Sequence, residues 1–338
     1  MKEGYKMSLT SKLDAKNKKD KEFKDILIHV EPEKGDYYTL SGKLPFSEEY
    51  SMHVPYNLSN IYNASLVGIA FDYLARFRIA QFVKDETVIR DLVAYNGFKK
   101  LNNYIDIPVE IFDSWLEKVL MFINDNSISI SHLYEISVKL AKLEQVSRAR
   151  INKETINRDF FIIENSPDEV INELDNLLKL FEKKFMIPEI INEKSNVIFN
   201  PKFGVSSLLV SGADADIYID GVLYDFKTTK DKSLKQKDNL QMIGYYLLND
   251  LAKATISDDL GFNYTYMEIQ KLSYYKARFG EIEYYDVEKH LPYEGVKPKL
   301  KQLAEYFTKN PGRLNSAPMF ADAETAKEIL EQISTDAL

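Results

Sequence analysis

Ser211-Gly212-Ala213-Asp214-Ala215-Asp216-Ile217-Tyr218-Ile219-Asp220-Gly221-Val222-Leu223-Tyr224-Asp225-Phe226-Lys227-Thr228-Thr229-Lys230 sets two blocks of β-formers on either side of Asp220-Gly221. Asp-Gly between such blocks is the strongest short-range signal for a two-residue hairpin turn, because that turn needs positive φ at both central positions. The turn fixes a register: Ile219 opposite Val222, Tyr218 opposite Leu223, Ile217 opposite Tyr224, Asp216 opposite Asp225, Ala215 opposite Phe226 and Asp214 opposite Lys227. Side chains alternate along a strand and cross-strand partners share a face. Asp214, Asp216, Asp225 and Lys227 are therefore expected on one side, and Ile217, Ile219, Val222, Tyr224 and Phe226 on an apolar side suited to helices. Opposed aspartates repel by up to about 1 kcal/mol, and a divalent cation converts that repulsion into coordination. The alternative is an edge hairpin with solvated charges, partly neutralised by Lys227. An acidic-x-Lys tripeptide alone decides nothing, since Asp14-Ala15-Lys16, Glu22-Phe23-Lys24 and Glu182-Lys183-Lys184 share it.

Upstream, residues 1–24 are polar and lysine-rich and read as a loose arm or a first short helix, and Asp25 to Val30 reads as a strand. Pro32, Gly35, Pro45 and Pro55 fill the stretch to about residue 60 with loop chemistry. From Asn63 a helix is expected: Leu66, Ile69, Ala70, Tyr73, Leu74 and Phe77 recur at three- and four-residue steps, with Asn63 or Ser65 as N-cap and Asp72 near the apolar stripe. Further helices are expected over 84–101, 108–124, 131–150 and 167–186, a block in which Glu135 and Glu144 read as exposed charges. Downstream, 196–199 and 206–210 read as strands, 236–253 as a helix, Tyr264 to Ile269 and Ile282 to Tyr285 as strands with a turn at Arg278-Phe279-Gly280, and 297–310 and 322–335 as helices.

The chain has 338 residues, 45% hydrophobic and 28% charged, which suits one elaborated domain or a core carrying a large insertion. The absence of cysteine excludes disulfides, thiolate zinc sites, cysteine nucleophiles and cysteine-ligated iron–sulfur clusters. Four scattered histidines, His29, His53, His132 and His290, lack metal-ligand spacing, so carboxylates with magnesium or manganese are the expected metal chemistry. No apolar run spans a membrane and Met1 to Lys6 has no signal-peptide core, which makes a cytoplasmic location the expectation. A net charge of −8 is the wrong sign for bulk attraction to nucleic acid, so any such contact depends on local patches. Of three lysine clusters, at 16–21, 227–237 and 297–301, the second is singled out by its aspartate neighbours.

Asp216, followed nine residues later by Asp225-Phe226-Lys227, resembles the PD-(D/E)XK nuclease superfamily. Gln241-Met242-Ile243-Gly244-Tyr245 is similar to the Gln-x-x-x-Tyr helix of its RecB-like branch. Gly68-Ile69-Ala70-Phe71-Asp72 resembles that branch's upstream helix motif, with aspartate where the branch has histidine. The resemblance implies a restriction-endonuclease-like α/β core, a mixed central sheet of about four to six strands flanked by helices. It would be built from 61–84 and 191–338, preceded by an arm and first strand at 1–60 and interrupted by a helical insertion at 85–190. It implies Mg²⁺ or Mn²⁺ on Asp216 and Asp225 with the Phe226 carbonyl oxygen and Asp72, a water handled by Lys227, and no iron–sulfur cluster. Gln241 and Tyr245 would position a DNA strand, and Lys230, Lys232, Lys235 and Lys237 would contact flanking phosphates. Asp214 is either a second ligand or the partner that holds Lys227.

The expected activity is metal-dependent hydrolysis of DNA phosphodiester bonds, in DNA processing or genome defence. The alternatives are a catalytically silent nuclease-like subunit that binds nucleic acid or scaffolds a complex, and an interaction module serving a protein partner or a second copy. Neither Asp225 nor Lys227 is expected in the apolar layer.

Overall fold

The computed structural model describes residues 8–14, 20–148, 161, 164–210, 212–253 and 266–310. Its centre is the Asp220-Gly221 hairpin, whose two turn residues have φ of 45° and 91°. The hairpin strands are β3 (Ile217–Ile219) and β4 (Val222–Lys227), and the register over Ile219–Val222, Tyr218–Leu223 and Ile217–Tyr224 is the expected one. Around it stand β1 (Tyr37–Thr39), β2 (Val197–Phe199), β5 (Lys271–Lys276) and β6 (Glu281–Asp286). The six strands form one open mixed sheet in the order β1-β6-β5-β4-β3-β2. Only β4 and β5 run parallel; the other neighbours are antiparallel. A parallel pair needs a crossover, and here the connection carries the helix Gln236–Lys253.

The helices used below are α1 (Leu9–Lys12), α2 (Lys21–Ile28), α3 (Tyr62–Val83), α4 (Val93–Asn102), α5 (Val109–Asn124), α6 (Tyr134–Arg148), α7 (Asp168–Lys184), α8 (Gly204–Leu209), α9 (Gln236–Lys253), α10 (Val287–His290) and α11 (Tyr293–Lys309). Helices α3 to α7 share one apolar core with Ile217, Ile219, Tyr224, Phe226 and Tyr275. Phe181 and Phe185 of that layer meet Phe226 edge-on at ring-centroid distances of 5.7 and 5.5 Å. The opposite sheet face, with Tyr218, Leu223, Leu272, Tyr274 and Tyr285, is covered by residues of α1, α2, α9 and α11. A sheet buried on both faces explains why its strands are almost continuously apolar rather than alternating. The described helices of 85–190 therefore form the layer over one sheet face and share their core with α3.

Several local expectations are corrected. Asp25 to Val30 is not a strand: Phe23, Ile26 and Leu27 are buried at helical spacing on α2, which packs on α11. Ser206 to Val210 belongs mainly to the short helix α8. Both segments are short apolar runs, in which periodicity does not separate strand from buried helix. Of Tyr264 to Ile269, Tyr264 and Thr265 lie outside the described residues and Tyr266 to Ile269 is not strand; the ladder starts at Lys271. The helix α3 has no side-chain N-cap from Asn63 or Ser65. The expected helix at 322–335 lies outside the described residues, as does the end of the one at 131–150. Among the described residues no helix is long and apolar enough to cross a membrane.

Candidate active site

The hairpin ladder stops at Ile217, so the expected pairs Asp216–Asp225, Ala215–Phe226 and Asp214–Lys227 do not form. In a regular continuation, the amides of Ala215 and Phe226 would each donate to the other residue's carbonyl. Instead Ala215 N donates to Pro201 O at 3.1 Å, and Phe226 N donates to the Asp216 carboxylate, Oδ2, at 2.6 Å. Asp216 O accepts from Asn200 N at 3.2 Å, and Asp214 forms a lone antiparallel bridge with Lys202. The strand carrying Asp214 and Asp216 thus leaves β4 and turns toward residues 200–202. Backbone alternation fixes one more group. Ala277 N donates to Lys227 O at 2.9 Å, so the Lys227 carbonyl faces β5 and the Phe226 carbonyl faces the side from which Ala215 N has been diverted.

Helix α3 supplies the next group. A Cβ on Gly68 would lie 2.9 Å from Thr228 Oγ1, so glycine allows the helix to approach the end of β4. One turn further on, Asp72 faces the hairpin carboxylates. Its Oδ1 is shielded from solvent and has no hydrogen-bond partner. Such an orphaned buried oxygen costs about 1–3 kcal/mol.

The structure places Asp72, Asp214, Asp216, Asp225, Phe226, Lys227, Gln241 and Tyr245 around one cleft of about 720 Å³. Burial first and the charge of Asp216 second hold Asp72 well above the ordinary carboxylate range, against the pull of Arg76. Asp216 is pushed up to about 7 by burial and by Asp225. Burial also raises Asp225, with Lys227 opposing it, and raises Asp214, with Arg148 opposing it. Lys227 Nζ lies 2.8 Å from Asp225 Oδ2 and 3.4 Å from Asp238 Oδ1. Burial lowers the lysine, but the charges of Asp225 and Asp238 outweigh it and keep the ammonium above its usual value. Lys227 is thus paired with Asp225 and Asp238. Asp225 itself is 5% exposed, so it does lie within the packed layer, contrary to expectation.

Gln241 Nε2 donates to the Tyr245 hydroxyl at 2.6 Å, which donates to Asp214 O at 2.8 Å. Tyr245 is buried, stacks on Phe203 at 5.1 Å and ties α9 to the diverted strand, with Gln241 half-exposed in the cleft. Lys230, Lys232, Lys235 and Lys237 do not line the cleft. Lys230 lies over the Tyr56 ring, while Lys232 and Lys235 pair with Glu48 and Asp231.

Four further charged groups line the cleft that the sequence reading does not pick out: Arg76 on α3, Lys100 on α4, and Glu144 and Arg148 on α6. Arg76 stands four residues after Asp72, a helical spacing visible in the sequence; its Nε donates to Asp72 O at 3.1 Å. The others have no local signal. Glu144, expected to be exposed, is buried, accepts from Tyr73 at 2.7 Å and pairs with Arg148 at 2.6 Å. Glu135 is half-buried and accepts from Ser166 N and Oγ.

Among the described residues no group of three or more histidine, aspartate or glutamate side chains is placed so as to hold a metal ion. In chemical type, though not in placement, the donor set suits a hard divalent cation. It is all oxygen, it includes the orphaned Asp72 Oδ1, and its carboxylates are raised by burial and by one another, a strain that a cation relieves. No known family, curated protein or solved structure matches this chain.

Proposed function

We propose that this chain is a metal-dependent nuclease that hydrolyses DNA phosphodiester bonds, with a restriction-endonuclease-like core, acting in DNA processing or genome defence. One observation carries the proposal: Asp72, from a helix well over one hundred residues upstream, presents a buried, unpartnered oxygen to Asp216 and Asp225 beside Lys227. Packing alone gives no reason to gather three carboxylates at the mouth of a diverted hairpin, because each pays a desolvation penalty there. Asp72, Asp216 and Asp225, with the Phe226 carbonyl, would hold Mg²⁺ or Mn²⁺. Bound there, the cation supplies Lewis acidity to a phosphodiester and acidifies a water.

The chain's own residues do the rest. Asp216 fixes the end of β4 by accepting the Phe226 amide. Lys227, held between Asp225 and Asp238, presents an ammonium to the negative charge that grows on phosphorus-bound oxygens. Asp214 is tied through its carbonyl to Tyr245, and its carboxylate lines the same cleft.

A second reading, a silent nuclease-like binding subunit, is favoured by the absence of a finished metal cage among the described residues. Incubation with linear, circular and single-stranded DNA, and with RNA, in manganese, magnesium or chelator separates the two. Metal-dependent cleavage of DNA that is lost in Lys227→Ala and Asp225→Asn, both still folded, supports the nuclease. Binding without cleavage in either metal supports the silent subunit.

A further inference from the structure

The two walls of the cleft differ in charge. The sheet wall carries Asp214, Asp216, Asp225 and Lys227, whereas the helical wall carries Arg76, Lys100 and Arg148 with the carboxylates Asp72 and Glu144. Arg76 is 6% exposed, with Nε given to Asp72 O and its guanidinium over the Tyr73 ring at 4.8 Å. Arg148 lines the same cleft as Asp214 and Asp72. It is anchored by Glu144 at 2.6 Å, and Lys100 is steadied by Ser147 O at 3.4 Å. Three cations from three different helices therefore share the cleft with the hairpin residues Asp214, Asp216 and Asp225.

The mouth is bounded by the chain's own backbone. Leu9 N donates to Gly212 O at 2.9 Å, and Leu9 and Leu13 are buried, which seats Ser8 to Ser11 along the rim. A cleft of about 720 Å³ between two packed walls has the size of a small-molecule pocket, roughly 300–1,000 Å³. That volume is of the order of a few nucleotides of one strand.

We propose that the helical wall is the strand-binding surface of this site: Arg148 and Lys100, backed by Arg76, grip the phosphates of single-stranded DNA and present it to the carboxylate wall. This rests on the nuclease reading for the identity of the opposite wall. Arginine on a phosphate is bidentate and oriented, whereas lysine acts as a point charge, so Arg148 sets direction and Lys100 adds attraction. The lysines of 230–237 lie outside the cleft lining and take no part. Glu144 tempers the wall, since it neutralises Arg148 in the empty cleft.

The test measures binding of a fluorescent single-stranded oligonucleotide in calcium, as a function of salt, with unlabelled duplex as competitor. Arg148→Ala and Lys100→Ala are each expected to weaken binding about tenfold and to flatten the salt slope by about 0.7 for each phosphate left without its cation. Lys118→Ala, which removes the same charge from the α5 surface away from the cleft, changes affinity less than about twofold. Glu144→Gln, which releases Arg148, tightens binding, and this gain does not depend on how Arg148→Ala folds. The proposal is overturned if the wall variants bind like the wild type, if Glu144→Gln weakens binding, or if duplex competes as well as single strand. Tight binding with no hydrolysis in manganese or magnesium would instead sink the nuclease reading and leave the strand wall standing.

Discussion

Replacing Asp216 by Asn separates what this residue does for the fold from what it does for a cation. The Phe226 amide donates to Asp216 Oδ2 at 2.6 Å, and an asparagine carbonyl oxygen accepts the same bond. What disappears is the charge. In the folded chain Asp216 is raised from 3.8 to about 7 by burial and by Asp225, and that rise corresponds to about 4 kcal/mol of penalty on the ionised form. The group binds its proton more tightly folded than unfolded. The penalty is therefore absent below pH 3.8, builds between 3.8 and about 7, and is fully present above that. The 4 kcal/mol is a ceiling, because the cost is shared with Asp225 and Asp72, and about 1–3 kcal/mol is the expected gain at pH 8. Urea unfolding in chelator at pH 8 should therefore show Asp216→Asn more stable than wild type, the difference vanishing as pH falls toward 4. With manganese at one hundred times its dissociation constant, the wild type should gain about 2.7 kcal/mol and the variant far less. A variant that is less stable in chelator, or that gains as much from manganese as the wild type, refutes the account of Asp216 as a strained ligand.

Three further outcomes follow from the packing. A Cβ on Gly97 would lie 1.7 Å from Leu143 O, so Gly97→Ala forces α4 off α6 and should cost about 3 kcal/mol or more in urea unfolding. A Cβ on Gly68 meets Thr228 Oγ1 at 2.9 Å; Gly68→Ala should lower cleavage by moving Asp72, and Gly68→Ala with Thr228→Ala should recover most of it, whereas no recovery would mean that the contact does not position the helix. Glu283, fully buried and pushed by burial from 4.5 up to about 7, accepts from Tyr50 Oη and Phe46 N through one oxygen. It too holds its proton more tightly when folded, so wild-type stability should fall by up to about 3 kcal/mol between pH 4.5 and 7, and Glu283→Gln, which keeps the acceptor, should flatten that fall in pH-dependent urea unfolding.

The central hairpin is legible because Asp220-Gly221 dictates a turn and the turn dictates a register, a chain of consequences confined to the eight residues from Ile217 to Tyr224. Helix α9 matches its expected span, and the described residues of 85–190 are mainly helical, because amphipathic periodicity over more than ten residues leaves little ambiguity. Segments such as Asp25 to Val30 and Ser206 to Val210 defeat the same reasoning, since in both cases the deciding fact is which other element covers them. The same limit explains the charged residues. Lys230 to Lys237 stand next to the aspartates in sequence and so attract the phosphate-binding role, yet they lie outside the cleft lining, whereas Lys100 and Arg148 line it from helices that no local pattern connects to the hairpin. Arg76 is within reach of sequence reasoning, four residues beyond Asp72 on the same helix, and the spacing alone points to it.

The place where the expected register fails is also where the site forms. Had the ladder continued past Ile217, Asp216 and Asp225 would stand as an opposed pair on a regular ribbon, and the Phe226 carbonyl would be taken by Ala215 N. Diverting Ala215 N to Pro201 O removes that donor, and spending the Asp216 carboxylate on Phe226 N holds the end of β4 at the splay. The break brings two changes together: the carbonyl loses its ladder partner, and the Asp216 carboxylate turns to the Phe226 amide in the cleft that Asp72 also lines. A structural hairpin gains nothing from this, because it gives up two ladder hydrogen bonds and holds carboxylates raised first by burial and then by one another. A double substitution tests whether the splay itself matters. Asp216→Asn keeps the splay and Asp216→Ala removes the carboxylate that holds Phe226 N, so if the splay is held by this bond, Asp216→Ala combined with Asp72→Asn should lose more stability in chelator than Asp216→Asn combined with Asp72→Asn. Equal stabilities would mean that residues 200–202 hold the strands apart without help from Asp216.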